Sequence, residues 1–184
     1  MKRAAIFSDD HGKRFKLTRE WSSPMFARSR GTVNFIMLNP SVADDQSDDP
    51  TIRKCIGFAD RWGYAALVVT NLIPIISTDP WKLPPWHGVD SENRAYLLDC
   101  ARKADLVTVA WGSVPGSLAK QIALAEHIYL LRHSTAVKFH CIGWTRKGDP
   151  LHPSRAPYTD RPIVWNGGFD IDRPILDEAG VRRE

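Results

Sequence analysis

Val33-Asn34-Phe35-Ile36-Met37-Leu38 is followed at once by Asn39-Pro40-Ser41. The six leading residues form a near-continuous apolar run of strand length, the pattern of a strand buried on both faces. Pro40 disfavours helical geometry in the residue before it, so Asn39 is held extended just past the strand. Ligand crevices in α/β sheets form at such strand ends. Two more polar residues follow the same plan. Asn71 follows Leu67-Val68-Val69-Thr70, and His152 follows the apolar run Val137-Lys138-Phe139-His140-Cys141-Ile142 after a short connection.

Working outward, residues 66–70, 106–110 and 137–142 read as three further strands. Between the first two core strands, Asp49 is a helix cap, Pro50 fits a first turn, and Ile52, Cys55, Ile56, Ala59 and Trp62 recur at helical spacing until Gly63 stops the run. A second helix starts at Ser91 and ends near Lys103. A third is marked by Leu118, Ile122, Ala125 and Tyr129. The order βαβαβαβ predicts an α/β fold with three α/β/α layers and a mostly parallel four-stranded central sheet. Upstream, strands over 3–8 and 14–19 flank the turn-rich Asp9-Asp10-His11-Gly12 and predict an N-terminal hairpin, about residues 3–19. Residues 73–89 are rich in Pro and Trp and read as an irregular excursion. The tail from about 156 to 184 is irregular, with Ile163-Val164-Trp165 as an edge strand or a packed segment. Residues 1–184 are read as one domain.

Composition fits that reading: 184 residues, 43% hydrophobic and 25% charged, are ordinary for a globular domain. No apolar run is as long as a membrane span, and the apolar part of the N-terminus is short for a secretory signal, so a cytoplasmic protein with no membrane partner is expected. Cys55, Cys100 and Cys141 are far apart and read as reduced core thiols, with no metal or cofactor expected. Net charge is +4. Residues 1–30 carry eight Lys or Arg against three acids, whereas 31–60 carry two against five. The basic excess, with Arg146, Lys147 and Arg155, reads as a solvated surface or as a rim attractive to phosphate. The acidic run Asp44-Asp45-Gln46-Ser47-Asp48-Asp49 reads as a structural or solvated loop, with a Mg²⁺ site as the alternative.

The strand-end residues carry the chemistry. Asn39 can orient a water or bind a base edge, or simply cap a turn. Asn71 offers a donor and an acceptor, enough to match a base edge with two bonds, and a structural turn Asn reads the same way. His152 lies between Pro150 and Pro153, which stiffen its loop. A neutral imidazole there can donate to an oxyanion developing on a departing base. Ser154 and Arg155 are placed to reach phosphate. His11, His87, His127, His133 and His140 read as surface or structural residues.

These landmarks carry a resemblance. Leu38-Asn39-Pro40-Ser41, Asp49-Pro50-Thr51-Ile52-Arg53-Lys54-Cys55, Asn71, Trp111-Gly112 and His152-Pro153 resemble the DUF1643 family over roughly residues 15–165. More distantly, the same set resembles the uracil-DNA glycosylase superfamily, whose mismatch-specific branch carries an Asn-Pro pair in its water-positioning loop and whose last active-site loop reads His-Pro-Ser. That resemblance implies a glycosylase-like fold and a nucleobase-handling enzyme that hydrolyses an N-glycosidic bond in a nucleic acid or nucleotide. Asn39 would align water and His152 would stabilise the departing base, as the catalytic pair. Asn71, Ser41, Trp111, Ser154 and Arg155 would bind substrate, with Trp62, Trp81 or Trp111 as the stacking surface. A nucleobase, nucleotide or single-stranded nucleic acid is the expected partner. The chain departs from the glycosylases in two ways. Met37 and Ser41, not glycines, flank Asn39-Pro40, and Arg155-Ala156-Pro157 offers no apolar wedge for duplex DNA, leaving Tyr158 as a substitute. The alternatives are a non-catalytic nucleotide or nucleic-acid binding protein, and a scaffold with no ligand at all.

Overall fold

The computed structural model describes residues 1–22, 31–44, 46–79, 83, 90–114, 125–126, 129–130 and 133–165. Its elements are β1 (Lys2–Phe7), β2 (Arg14–Glu20), β3 (Thr32–Met37), α1 (Pro50–Arg61), β4 (Ala66–Asn71), α2 (Ser91–Lys103), β5 (Leu106–Val109), β6 (Phe139–Cys141) and β7 (Ile163–Val164), with a 3-10 turn at Pro153–Arg155. The fold is α/β. The seven strands form one mixed sheet in the order β1-β2-β4-β3-β5-β6-β7.

The central sheet therefore departs from the four-stranded, mostly parallel one expected from the sequence. The four apolar runs do pair in parallel, as β4-β3-β5-β6. Both margins are then extended by antiparallel strands. β2 pairs with β4 through Leu17↔Val69 and Thr18↔Val68, with β1 outside it, and β7 pairs with β6 through Cys141↔Ile163. A bare parallel sheet leaves open hydrogen-bonding edges, and these additions satisfy them. The expected helix over 118–129 lies mostly outside the described residues, as do 80–82 and 84–89 of the excursion.

Alternation along β3 explains why residues 33–38 are apolar but for Asn34, whose Nδ2 donates to Thr70 Oγ1 at 3.2 Å. Val33, Phe35 and Met37 join a core with Ile52, Cys55, Phe58 and Ala59 of α1, whereas Ile36 and Leu38 join a core with Leu97 and Ala101 of α2. α1 thus packs on one face of the sheet and α2 on the other. The helix starts are set by side chains. Asp49 Oδ1 accepts from the Ile52 N–H at 2.8 Å, and Asp90 Oδ1 accepts from the Asn93 N–H at 2.8 Å. Gly63, with φ of +90°, follows the end of α1. None of the described helices is long and apolar enough to cross a membrane.

The loop between β3 and α1 is fastened by two buried arginines of β2. Arg19 is fully buried; its Nε donates to Asp48 Oδ1 at 2.6 Å, and its terminal nitrogens donate to the carbonyls of Thr18, Asp44 and Ser47. Arg14 donates to the Ala43 carbonyl at 2.6 Å. Five positions separate the two, so a regular strand would point them to opposite faces. A register shift prevents this. Ile6 pairs with Lys16 and Phe7 with Arg14, skipping Phe15, and this bulge turns Arg14 toward the loop that Arg19 holds.

The acidic run is thereby explained. Asp44 Oδ1 accepts from the N–H groups of Gln46 and Ser47, Asp48 pairs with Arg19 and Arg3, and Asp49 caps α1. Asp48→Ala strips a buried guanidinium of its counter-charge. Urea denaturation should show a loss of about 3–5 kcal/mol, against within about 0.5 kcal/mol for Glu20→Ala, whose ion pair with Lys2 is exposed.

Candidate functional site

The C-terminal ends of β3, β4 and β5 gather the strand-end residues. Asn39 follows β3 and is half-buried. Its Nδ2 donates to the carbonyls of Ser77 at 2.8 Å and Pro40 at 3.0 Å. The amide is thus fixed with both hydrogens committed to its own loop and to the start of the excursion, leaving Oδ1 as its acceptor. Ser41 is half-buried just beyond it.

Asn71, the last residue of β4, is 1% exposed. Its backbone carbonyl accepts from Asn93 Nδ2 at 2.9 Å, which ties α2 to the strand end. Its side-chain Oδ1 lies 3.5 Å from a terminal nitrogen of Arg14, and its Nδ2 has no partner among the described residues. A ligand has to enter the protein to meet it.

His152 is placed by three constraints. Pro153 opens the 3-10 turn that follows it. Gly112 donates its N–H to the Pro150 carbonyl at 2.9 Å, and its φ of +72° favours glycine. A Cβ on Gly112 would lie 3.0 Å from the His152 Cβ, so the backbone after β5 runs directly against the imidazole. The ring's Nδ1 accepts from the Ser154 N–H at 3.3 Å and faces Ser154 Oγ at 2.7 Å. A backbone N–H can only donate, so Nδ1 is unprotonated and the proton of the neutral ring sits on Nε2. Burial pushes the imidazole pKa down to about 4; the Asp49 carboxylate opposes this and Arg155 adds to it. His152 is therefore a neutral Nε2–H donor at neutral pH.

Asp49 links the two sides of the region electrostatically, since its carboxylate acts on both Arg14 and His152. No hydrogen bond among the described residues joins Asn39, Asn71 and His152 to one another. Ser154 and Arg155 are exposed beside His152. Trp111 is buried edge-on against Trp165, with ring centroids 5.1 Å apart. Trp62 is buried at the far end of α1 from Asp49, stacked on Phe35, and Trp81 lies outside the described residues. Tyr158 lies on the α1 surface, 5.0 Å from the Phe58 ring with Lys54 and Arg61 each 4.0 Å from its own ring, so it is engaged with the helix.

Arg14 was not among the residues singled out by sequence. In Arg14-Phe15-Lys16-Leu17-Thr18-Arg19 the charged residues give no hint of which are buried, because the bulge at Phe15 breaks the alternation. An open cleft lies at the opposite end of the sheet, lined among others by Trp62, Tyr64, Leu106, Arg61 and Arg161.

The model of a family described as "Protein of unknown function (DUF1643)" matches residues 14–154. No curated protein and no solved structure matches the chain.

A folded-state pKa below the ordinary 6.5 makes the unfolded chain bind the proton more tightly. The stability tied to His152 is thus complete above about pH 6.5 and falls as pH drops toward about 4. An NMR titration should place the His152 midpoint near 4, and His152→Gln should flatten the decline in stability across that window.

Proposed function

The chain belongs to the DUF1643 family, and for this member we propose a nucleobase-handling enzyme that hydrolyses an N-glycosidic bond in a nucleic acid or nucleotide. The observation that carries the reading is the setting of His152: Nδ1 lies against the Ser154 N–H and Oγ, burial lowers the ring's pKa, and Nε2 has no partner among the described residues, which suits it to donate as a neutral ring. Cleaving a glycosidic bond places negative charge on the departing base. A fixed neutral donor meets that charge as it develops, with no proton to lose first. Asn39 supports the water side of the reaction. Its two donors hold the amide in place, and Oδ1 is left to accept from a water. An amide does not ionise near neutral pH, so its contribution is orientation, and a modest rate follows. Asn71 Nδ2 is a donor without a partner among the described residues, suited to an oxygen of the bound base or nucleotide. Ser41, Ser154 and Arg155 serve the phosphate side, and Trp111 forms part of the wall. The reading takes the parallel set β4-β3-β5-β6, with Asn39-Pro40 and His152-Pro153-Ser154 beyond its strands, as a glycosylase-like scaffold.

One observation favours the alternative of a nucleotide-binding protein without hydrolysis. The Asn39 amide already staples its own loop to the Ser77 carbonyl, a role that needs no water. Under that reading Asn39 is dispensable for binding.

Base release from single-stranded and duplex oligonucleotides, nucleosides and nucleotides separates the two. Hydrolysis predicts release from at least one substrate class, reduced about 10²–10³-fold in His152→Ala and strongly reduced in Asn39→Ala. Binding of a nucleotide with no release from any substrate would establish the alternative.

A further inference from the structure

The two buried arginines of β2 reach the same loop, yet their surroundings differ. Arg19 is saturated, with the Asp48 carboxylate on Nε and three carbonyls on its terminal nitrogens. Arg14, 2% exposed, has no such complement. One terminal nitrogen donates to the Ala43 carbonyl at 2.6 Å and the other reaches Asn71 Oδ1 only at 3.5 Å. Its Nε has no partner among the described residues, and neither does the adjacent Asn71 Nδ2. Two carboxylates act on Arg14 from a distance, Asp49 more than Asp44, and both are committed elsewhere, Asp49 to the Ile52 N–H as a helix cap and Asp44 to the N–H groups of Gln46 and Ser47.

Two buried donors and one positive charge thus stand together with no carboxylate hydrogen-bonded to them among the described residues. Aspartate at position 71 would supply the missing charge and remove the idle amide donor at almost no change in shape. Folding stability alone favours that residue, because a buried guanidinium is best served by a hydrogen-bonded carboxylate, as Arg19 shows. The chain carries asparagine.

We propose that Arg14 and Asn71 form a receptor for a small oxyanion, the phosphate or carboxylate group of a ligand, which enters beside Ala43 and accepts from Arg14 Nε and Asn71 Nδ2. Burial lowers the Arg14 pKa only to about 10, so the receptor is cationic at neutral pH. Both donors are covered, so the anion has to part the Ala43 segment from Arg14 as it enters. The receptor stands on these two residues and does not require glycosidic hydrolysis.

Thermal unfolding of the full chain tests it, with inorganic phosphate, uridine 5′-monophosphate and, as the uncharged control, uridine. An anion that binds the folded state raises Tm with concentration. The expected result is protection by phosphate or by the monophosphate and none by uridine. Protection by phosphate alone marks a free-anion site, and protection by the monophosphate alone marks a nucleotide phosphate. Asn71→Asp should raise Tm without ligand and weaken anion protection at least about tenfold. If that variant fails to fold, Asn71→Ala carries the test, with a similar loss of affinity expected. No protection by either anion, equal protection by uridine, or protection retained in the position-71 variant overturns the proposal.

Discussion

Two guanidinium groups taken out of water on β2 organise one side of this molecule. Arginine cannot shed its charge in a protein interior, so each must be met by acceptors. Those acceptors are supplied by the segment that links β3 to α1: the carbonyls of Ala43, Asp44 and Ser47 and the carboxylate of Asp48. Fastening that segment fixes where Asp49 lies, and Asp49 starts α1. It also brings the carboxylate of Asp49 within electrostatic range of His152. The N-terminal hairpin therefore does more than cover the edge of β4; it anchors the loop that leads from Asn39 to the helix.

Much of the core was legible because burial on both faces leaves an unmistakable mark. Val33 to Leu38 is apolar except at Asn34 because successive residues enter different cores. The helix starts were equally plain, since Asp49-Pro50 and the residues around Ser91 carry the chemistry that helix ends demand. The width of the sheet was harder to read. Short edge strands such as Ile163–Val164 lack enough residues for a pattern, and strand pairing across long separations has no local signature.

At the candidate site, sequence marked residues but not their surroundings. Pro40 and the prolines around His152 announced stiff strand-end loops. Nothing local showed that Asn71 would be covered, or that Arg14 would lie beside it. A buried arginine and a solvated one look alike in a strand, and here a bulge erased the only periodic clue. The acidic run was legible as a loop ending in the Asp49 cap, but not as the set of acceptors that meets buried arginines.

The region at the strand ends is rich in hydrogen-bond donors. His152 offers Nε2–H, Arg14 offers Nε and Asn71 offers Nδ2, while Asn39 retains an acceptor. Such a set suits a ligand that presents oxygens and gains negative charge, and it suits a departing nucleobase or its phosphate. The most direct measurement is a crystal structure with a bound nucleoside monophosphate. The account predicts the base within about 3 Å of His152 Nε2 and the anomeric carbon facing Asn39 Oδ1 across a water. A nucleotide seated instead in the cleft beside Arg61 and Arg161, with the strand ends empty, would contradict it.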